Sequence, residues 1–352
     1  MERRYAIVPG DGIGIDVTTE AVAVLEAASR AFGFKLALES FDYGAERYLR
    51  TGETLPEGAL EHWSEFDAIF MGAFGDPRVP DMRHAADILL GTRFRMDLYA
   101  NMRPVRCLSD RLCPLRNFRA ADVDFVVFRE NTEGAYAGIG GIFKKGTPDE
   151  IGIQEDINTR KGVERIVRTA FEHARASGRN KVTMSDKSNA LRHAHDIWQR
   201  VFAEVQAEYP DVRANHLYVD ALAMQMIKDP AQFEVIVTCN MFGDIVTDLG
   251  AALQGGLGMA ASGNVHPGRT SMFEPVHGSA PKYAGTDSAN PFGAILTAAM
   301  MLEHTGQVDA ARAIEASVVA CLDAKECTAD VGGGSGTRAA AAAVVRRVLD
   351  AA

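Results

Sequence analysis

Short, wholly apolar runs recur along the chain at residues 5–8, 68–71, 125–128, 182–184, 217–219 and 235–238. They lack the in–out alternation of a half-solvated strand, so they predict strands covered on both faces. Many are separated by segments with a 3.6-residue apolar period, among them residues 162–176 and 194–208, which predict amphipathic helices. Strands alternating with helices predict an α/β protein whose sheet carries helices on both faces. Polar stretches follow the predicted strands directly: "PGDGIG", "GAFGDP", "RENTEG", "SDKSN" and "CNMFGD". Ligands in open α/β sheets bind outside the strands' carboxyl ends, so these stretches are expected to converge on one cleft.

A length of 352 residues predicts two domains, or one large domain with insertions. No apolar run approaches the roughly 18 residues of a membrane span. The start "MERRYAIVPG" enters a strand pattern at once, with no signal-peptide core, and predicts a cytoplasmic protein. Five cysteines without a C-x-x-C fit reduced thiols rather than disulfides or zinc. The net charge of −10 excludes a global electrostatic footprint for nucleic acid or an anionic membrane. An anionic ligand therefore needs local cations. Arg93, Arg95, Arg103, Arg106 and Arg129 supply them, and Arg129 ends an apolar strand. Planar guanidinium groups in such places suit a small polycarboxylate.

Two glycine-rich stretches invite nucleotide readings. "PGDGIG" lies between a strand and a helix, but Ile15 stands where the third glycine of a Rossmann fingerprint belongs. "GGGSGT" at residues 332–337 lacks the lysine of a phosphate loop and reads as the approach to a C-terminal helix. Residues 138–153 are glycine-rich, apolar and without helical period, fitting either an arm that reaches a partner or a surface hairpin. In "NMFGDIVTDLG", Asp244 and Asp248 stand four apart in an apolar segment. On a helix they share a face, where like charges repel by a few tenths of a kcal/mol. Solvation, pairing with the arginines, or a shared Mg2+ or Mn2+ would each account for them.

Eight stretches in order ("PGDGIG", "DLYANMRPVR", "FRENTEGAY", "DKSNAL", "VDALAMQ", "NMFGDIVTDLGA", "FEPVHGSAPKYAG" and "ANP") resemble the metal-dependent β-decarboxylating dehydrogenases that act on isocitrate, isopropylmalate and related malates. The resemblance implies a two-domain α/β fold that is not a Rossmann fold. Its first domain would comprise residues 1–98 plus 255–352, and its second residues 99–254. It implies a homodimer with residues 138–153 as an intersubunit arm and active sites between domains and between subunits. By the same resemblance Asp244 and Asp248 bind the divalent metal with Asp220 of the partner subunit. The resemblance also implies that Arg93, Arg103 and Arg129 grip the malate carboxylates, while Tyr136, Lys187 and Asp220 are catalytic, with Lys187 donated by the partner subunit. Ile13, Asn189, Glu274, His277, Gly278, Ser279, Ala280, Lys282, Tyr283, Asn290 and Asp330 match cofactor-site positions.

Substrate and cofactor are read from a few positions. Leu89 and Leu90 resemble the apolar wall of isopropylmalate enzymes, and Asp87 and Leu89 replace the serine and asparagine of isocitrate enzymes. Ala86, where isopropylmalate enzymes carry glutamate, together with "ENTEG" and "RVPD", resembles the D-malate and tartrate branch instead. The expectation is 3-isopropylmalate, with D-malate or tartrate as the alternative and isocitrate or homoisocitrate behind them. Lys282 and Tyr283 match an NADP site, but Asp229, Ala329 and Gly333 do not complete one, which favours NAD. A regulatory subunit that keeps the fold without catalysis would be expected to lose part of the set Tyr136, Lys187, Asp220, Asp244 and Asp248, all present here.

Overall fold

Five of the six apolar runs form strands that water reaches on neither face. The run at 217–219 is the exception, because the strand Arg213–Tyr218 that it ends lies at the edge of the sheet and is partly exposed. Tyr5, Ala6, Val8, Ala68, Ile69 and Met71 are fully buried in one group of strands, as are Val182, Met184, Val235 and Val237 in another. The computed structural model describes residues 2–351 as a mixed α/β fold in which a large sheet is flanked by helices. The chain divides into two compact units: Met1–Leu98, Pro104–Val123 and Ala251–Ala352 in the first, Tyr99–Arg103 and Asp124–Gly250 in the second.

In the first unit the strands Lys35–Ser40, Glu2–Gly10, Ala68–Ala73 and Ser271–Pro275 lie side by side in that order, all parallel. Ala261–Val265 runs antiparallel beside the last, with Ser262 opposite Glu274. This antiparallel strand, with Ile15 at the third glycine position, separates the fold from a Rossmann unit. The helix Phe292–His304 is apolar around its whole circumference and almost entirely buried, as a helix must be when it has no polar face. Residues 104–123, expected in the second unit, belong to the first. Their hydrogen bonds explain why: Arg106 N–H donates to Gln254 Oε1 at 2.8 Å, and Arg111 donates to the Leu322 carbonyl at 2.8 Å and to that of Val331. At the other boundary the chain passes to the first unit between Gly250 and Ala251, inside the helix Asn240–Leu253.

In the second unit the strands Asp124–Glu130, Val235–Thr238, Lys181–Asp186 and Arg213–Tyr218 lie in that order, all parallel. The helices Arg160–Ala176 and Asp196–Gln206 bury Val163, Ile166, Phe171, Trp198 and Phe202 in a common core. Val219, expected to end a strand, instead begins the helix Val219–Lys228. Gly140–Phe143 and Ile151–Gln154 form an antiparallel hairpin exposed at every residue. Among the described residues no helix is long and apolar enough to cross a membrane.

Candidate active site

Arg129 closes the strand Asp124–Glu130 and is buried with only 1% of its surface exposed. A cation in that position must be answered by acceptors, and the helix Asn240–Leu253 supplies them. Arg129 Nε and Nη2 donate to Asn240 Oδ1 at 3.0 and 2.7 Å, and Nη1 donates to Asp244 Oδ1. The stem lies against Gly243, where a Cβ would come within 2.5 Å of Arg129 Cγ, so only glycine admits this approach. Arg103, also buried, donates from Nη1 to Thr247 Oγ1 at 2.6 Å and lies 3.3 Å from Asp244 Oδ1. The Tyr136 hydroxyl donates to Asp244 Oδ2 at 2.8 Å, with the Arg129 guanidinium 5.1 Å from its ring. Burial first, and the Asp244 carboxylate second, push the Tyr136 phenol above its ordinary pKa.

Asp248 follows one turn after Asp244 on the same helix. Burial and the neighbouring charge of Asp244 raise its carboxyl pKa, outweighing Arg103 and Arg129. Two hard oxygen donors one turn apart, one held at a cost in its charged form, fit a hard divalent cation. Among the described residues no three carboxylate, imidazole or thiol groups are gathered for a metal, so Asp220 does not join this pair within one chain. Asp220 stands instead on the first turn of Val219–Lys228 and accepts from Lys187 Nζ at 2.7 Å. That hydrogen bond is the largest of the influences that hold the Asp220 carboxyl below its usual range. Asn189 lies exposed in the turn just after Lys187.

The remaining predicted residues belong to the first unit. Arg93 is buried and donates from Nη2 to Glu274 Oε1 at 2.6 Å, which also accepts from Asn264 Nδ2 at 2.8 Å. Thus an arginine expected at a substrate carboxylate grips an acid expected at the cofactor, while its buried Nε has no partner. Leu89 and Leu90 end the π-turn Ala86–Leu90, a distortion often found at functional sites. Both are half-buried, and Leu89 packs on the core around Phe74, Ile88 and Leu98. Asp87 is held outside by the Thr54 hydroxyl at 2.9 Å.

The cofactor positions gather around "PGDGIG". Ile13 N–H donates to the Ser279 carbonyl at 2.8 Å, and a Cβ on Gly12 would sit 2.2 Å from that oxygen. Gly12 also holds φ at 55°, which favours glycine. Ala280 adopts a left-handed φ of 36° before the turn Pro281–Tyr283, where the Lys282 ammonium lies 4.7 Å from the Tyr283 ring. Asn290 Nδ2 donates to Asp330 Oδ2 at 2.9 Å. His277 bonds its Nδ1 to the Gly278 carbonyl at 3.1 Å and leaves a buried Nε2 unpartnered. Burial depresses its pKa, keeping the ring neutral. An orphaned ring nitrogen beside exposed Gly278 and a glycine-walled turn fits a nucleotide.

Several residues that complete the site carry no signal in the sequence. Asn240 and Thr247 are neutral acceptors for buried arginines, and nothing in their spacing marks them. Asn240 could be found only from its place one turn before Asp244, once Arg129 is known to face that helix.

A profile of the isocitrate/isopropylmalate dehydrogenase family matches residues 4–348. The chain is 48% identical over 317 residues to a 3-isopropylmalate dehydrogenase from Thermobifida fusca (strain YX), covering 90% of each. It is 46% identical over 341 residues to one from Beutenbergia cavernae, covering 95% of this chain and 98% of that one. Among solved structures, an isocitrate dehydrogenase from Methylococcus capsulatus superposes with a TM-score of 0.88 at 37% identity, covering 99% of each chain. The TT0538 protein from Thermus thermophilus gives 0.87 at 37% identity, covering 98% of this chain and 68% of that one. With its arginine-gripped carboxylates, its glycine-walled turn and a family match across almost its whole length, the chain belongs to the isocitrate/isopropylmalate dehydrogenase family and is a decarboxylating dehydrogenase.

Proposed function

We propose that the protein oxidises and decarboxylates a 3-substituted (R)-malate, converting 3-isopropylmalate to 2-oxoisocaproate with NAD and Mg2+ or Mn2+. The observation that carries this reading is Asp244: two buried arginines and Tyr136 converge on a carboxylate that itself stays 40% exposed. Arg93, Arg103 and Arg129 would bind the malate carboxylates, for which a planar fork is suited. Leu89 and Leu90 would meet the alkyl group, and burying such a group contributes about 1.5–3 kcal/mol. The names of the relatives from Thermobifida fusca and Beutenbergia cavernae favour the same substrate.

Asp244 and Asp248 would hold the cation together with Asp220 of a second copy. The cofactor would lie against Ile13, Glu274, His277, Gly278, Ser279, Ala280, Lys282, Tyr283, Asn290 and Asp330, with Asn189 completing its site. The chemistry these groups supply when bound is Lewis acidity at the cation and hydride acceptance at the nicotinamide. The chain's own residues would move the protons. Lys187 and Asp220 together would take the proton of the 2-hydroxyl, the amine accepting it once its own extra proton has left through Asp220. Tyr136 would deliver a proton to C3 after CO2 has left. The exposed hairpin residues Ile142 and Phe143, with Met224 and Ile245 on exposed helix faces, support a homodimer in which each copy completes the other's site.

The test is NADH formation by purified protein with Mn2+, comparing kcat/KM for 3-isopropylmalate and D-malate. A preference of tenfold or more for isopropylmalate is expected, within the range an alkyl pocket provides. Equal or better use of D-malate would overturn the alkyl reading of Leu89 and Leu90. "ENTEG" and "RVPD" would then be the better guides.

A further inference from the structure

Lys187 sits in a tight turn after the strand Lys181–Asp186, its carbonyl accepting from the N–H groups of Ala190 and Leu191 at 2.9 and 2.8 Å. Its own N–H points inward and donates to His195 Nδ1 at 3.0 Å. His195 is completely buried, with the Phe242 ring edge-on at 5.5 Å. A backbone N–H can only donate, so Nδ1 must offer its lone pair and the ring proton resides on Nε2. Nε2 faces Asp156 Oδ2 at 3.2 Å, an approach too bent for an in-line hydrogen bond and therefore an electrostatic contact. The imidazole thus holds the main chain of Lys187 with one nitrogen and faces a carboxylate with the other.

Asp156 is itself anchored. Its Oδ2 accepts from Asn158 Nδ2 at 3.1 Å, and Asn158 Oδ1 accepts from the indole of Trp198 at 2.8 Å. The residue lies at the root of the exposed hairpin, where Glu155 N–H donates to the Ile139 carbonyl at 2.8 Å and Gly134 N–H to that of Ile157 at 2.7 Å. The other side of the turn is fixed independently. Asp186 accepts from Ser188 N–H at 3.1 Å and bonds His216 Nε2 and Gln199 Nε2 at 2.8 and 2.7 Å. An aliphatic side chain could fill the space His195 occupies. Only a group with an acceptor at the Nδ1 position holds the inward-pointing Lys187 N–H, which would otherwise lose the partner that His195 gives it.

We propose that His195, oriented by Asp156, is a positioning residue for Lys187, setting the lysine's turn from the root of the hairpin so that its ammonium meets Asp220. The inference rests on the proton-transfer role given to Lys187 above. Misplacement of a reacting group by about an ångström costs up to roughly 100-fold in rate, so loss of the anchor should act on kcat.

The test uses the full-length protein, Mn2+, NAD and the better of 3-isopropylmalate and D-malate. His195→Leu is expected to lower kcat roughly 10- to 100-fold while KM stays within about twofold. His195→Asn places an amide oxygen where Nδ1 accepts, and it is expected to recover most of that loss. Equal losses for Leu and Asn, or a change confined to KM, would overturn the proposal by making His195 a packing residue. If His195→Leu does not fold, the comparison moves to His195→Asn and His195→Gln. Glutamine presents its amide at the Nε2 position without an acceptor at Nδ1, so Asn must then be the faster enzyme; the reverse order sinks the idea. Lys187→Met separates the two claims. Turnover retained in that variant removes the role of Lys187 and this inference with it. Loss in that variant beside a fully active His195→Leu removes the inference alone.

Discussion

Each unit of the molecule holds a carboxylate in an arginine's grip, and the two are built differently. Glu274 and Arg93 are both buried, their side chains 7% and 9% exposed, and Asn264 adds a neutral donor to the same oxygen. Asp244 also meets buried arginines, Arg129 and Arg103 at 1% and 8%, yet its own side chain is 40% exposed. In the closed pair acid and base compensate each other within the protein, and removing one strands the other. In the open pair the arginines keep Asn240 and Thr247 as neutral partners, so Asp244 can change partners without leaving a bare buried cation. At rest the closed pair is saturated, so under the proposed function Arg93 would have to be shared between Glu274 and a substrate carboxylate. The open pair leaves Asp244 able to exchange its arginines for the proposed cation.

The largest effect should come from the open pair. Asp244→Asn removes one ligand charge without core volume, and Lewis-acid stabilisation of several kcal/mol corresponds to at least about a thousandfold in kcat/KM. The folded state should persist by circular dichroism, because Asn240 and Thr247 still serve the arginines. Retained Mn2+-dependent turnover in this variant would remove the metal assignment.

Glu274→Gln reverses the pattern. It leaves the Arg93 charge buried without a counter-ion, and breaking such a pair costs about 3–5 kcal/mol. Urea unfolding should therefore show the loss, while addition of Mn2+ stabilises this variant as it does the parent. A change below about 1 kcal/mol would mean that water reaches Arg93 and that the pair is not closed.

Metal binding supplies a third comparison of intermediate size. A ligand at 100 times its dissociation constant stabilises the state that binds it by about 2.7 kcal/mol. Mn2+ should raise the melting temperature of the parent protein and of Glu274→Gln but not of Asp244→Asn. Equal rises in all three would place the cation elsewhere.

The same contrast decides what could be read from the sequence. Asp244 and Asp248 are visible because two acids in an apolar helix are anomalous wherever they occur. Strands such as Val235–Thr238 are visible because continuous apolar runs have few other uses. Ala261–Val265 and Ser271–Pro275 are not, since they carry the buried polar residues Ser262, Asn264, Ser271 and Glu274. Ser262, Asn264 and Glu274 satisfy one another across the antiparallel pair, for example Ser262 Oγ to the Glu274 carbonyl at 2.7 Å. Ser271 Oγ donates to the Arg269 carbonyl at 3.3 Å, so a polar sequence becomes a dry strand only in the fold. The partners of the candidate site residues are hidden for a related reason. Arg129 and Asn240 are 111 residues apart, and His195 reads as a core histidine until the Lys187 N–H is seen to need an acceptor.

The smallest effects should separate the pairs most cleanly, because they touch only the neutral supporters. Thr247→Val removes the hydroxyl that accepts from Arg103, and Asn264→Ala removes the amide that donates to Glu274. Each is one hydrogen bond to a charged group, worth about 1.5–3 kcal/mol. In the closed pair Asn264 supports a contact that is already saturated at rest. Its loss should therefore appear mainly in unfolding, with a smaller change in KM for the malate than Thr247→Val gives. In the open pair Arg103 loses a restraint on the guanidinium that is to grip substrate. The same order of energy should therefore appear as a raised KM for the malate, with a smaller loss in unfolding. If both variants lose stability alone, Asp244 belongs to a second closed pair whose exposed edge does not mark exchange.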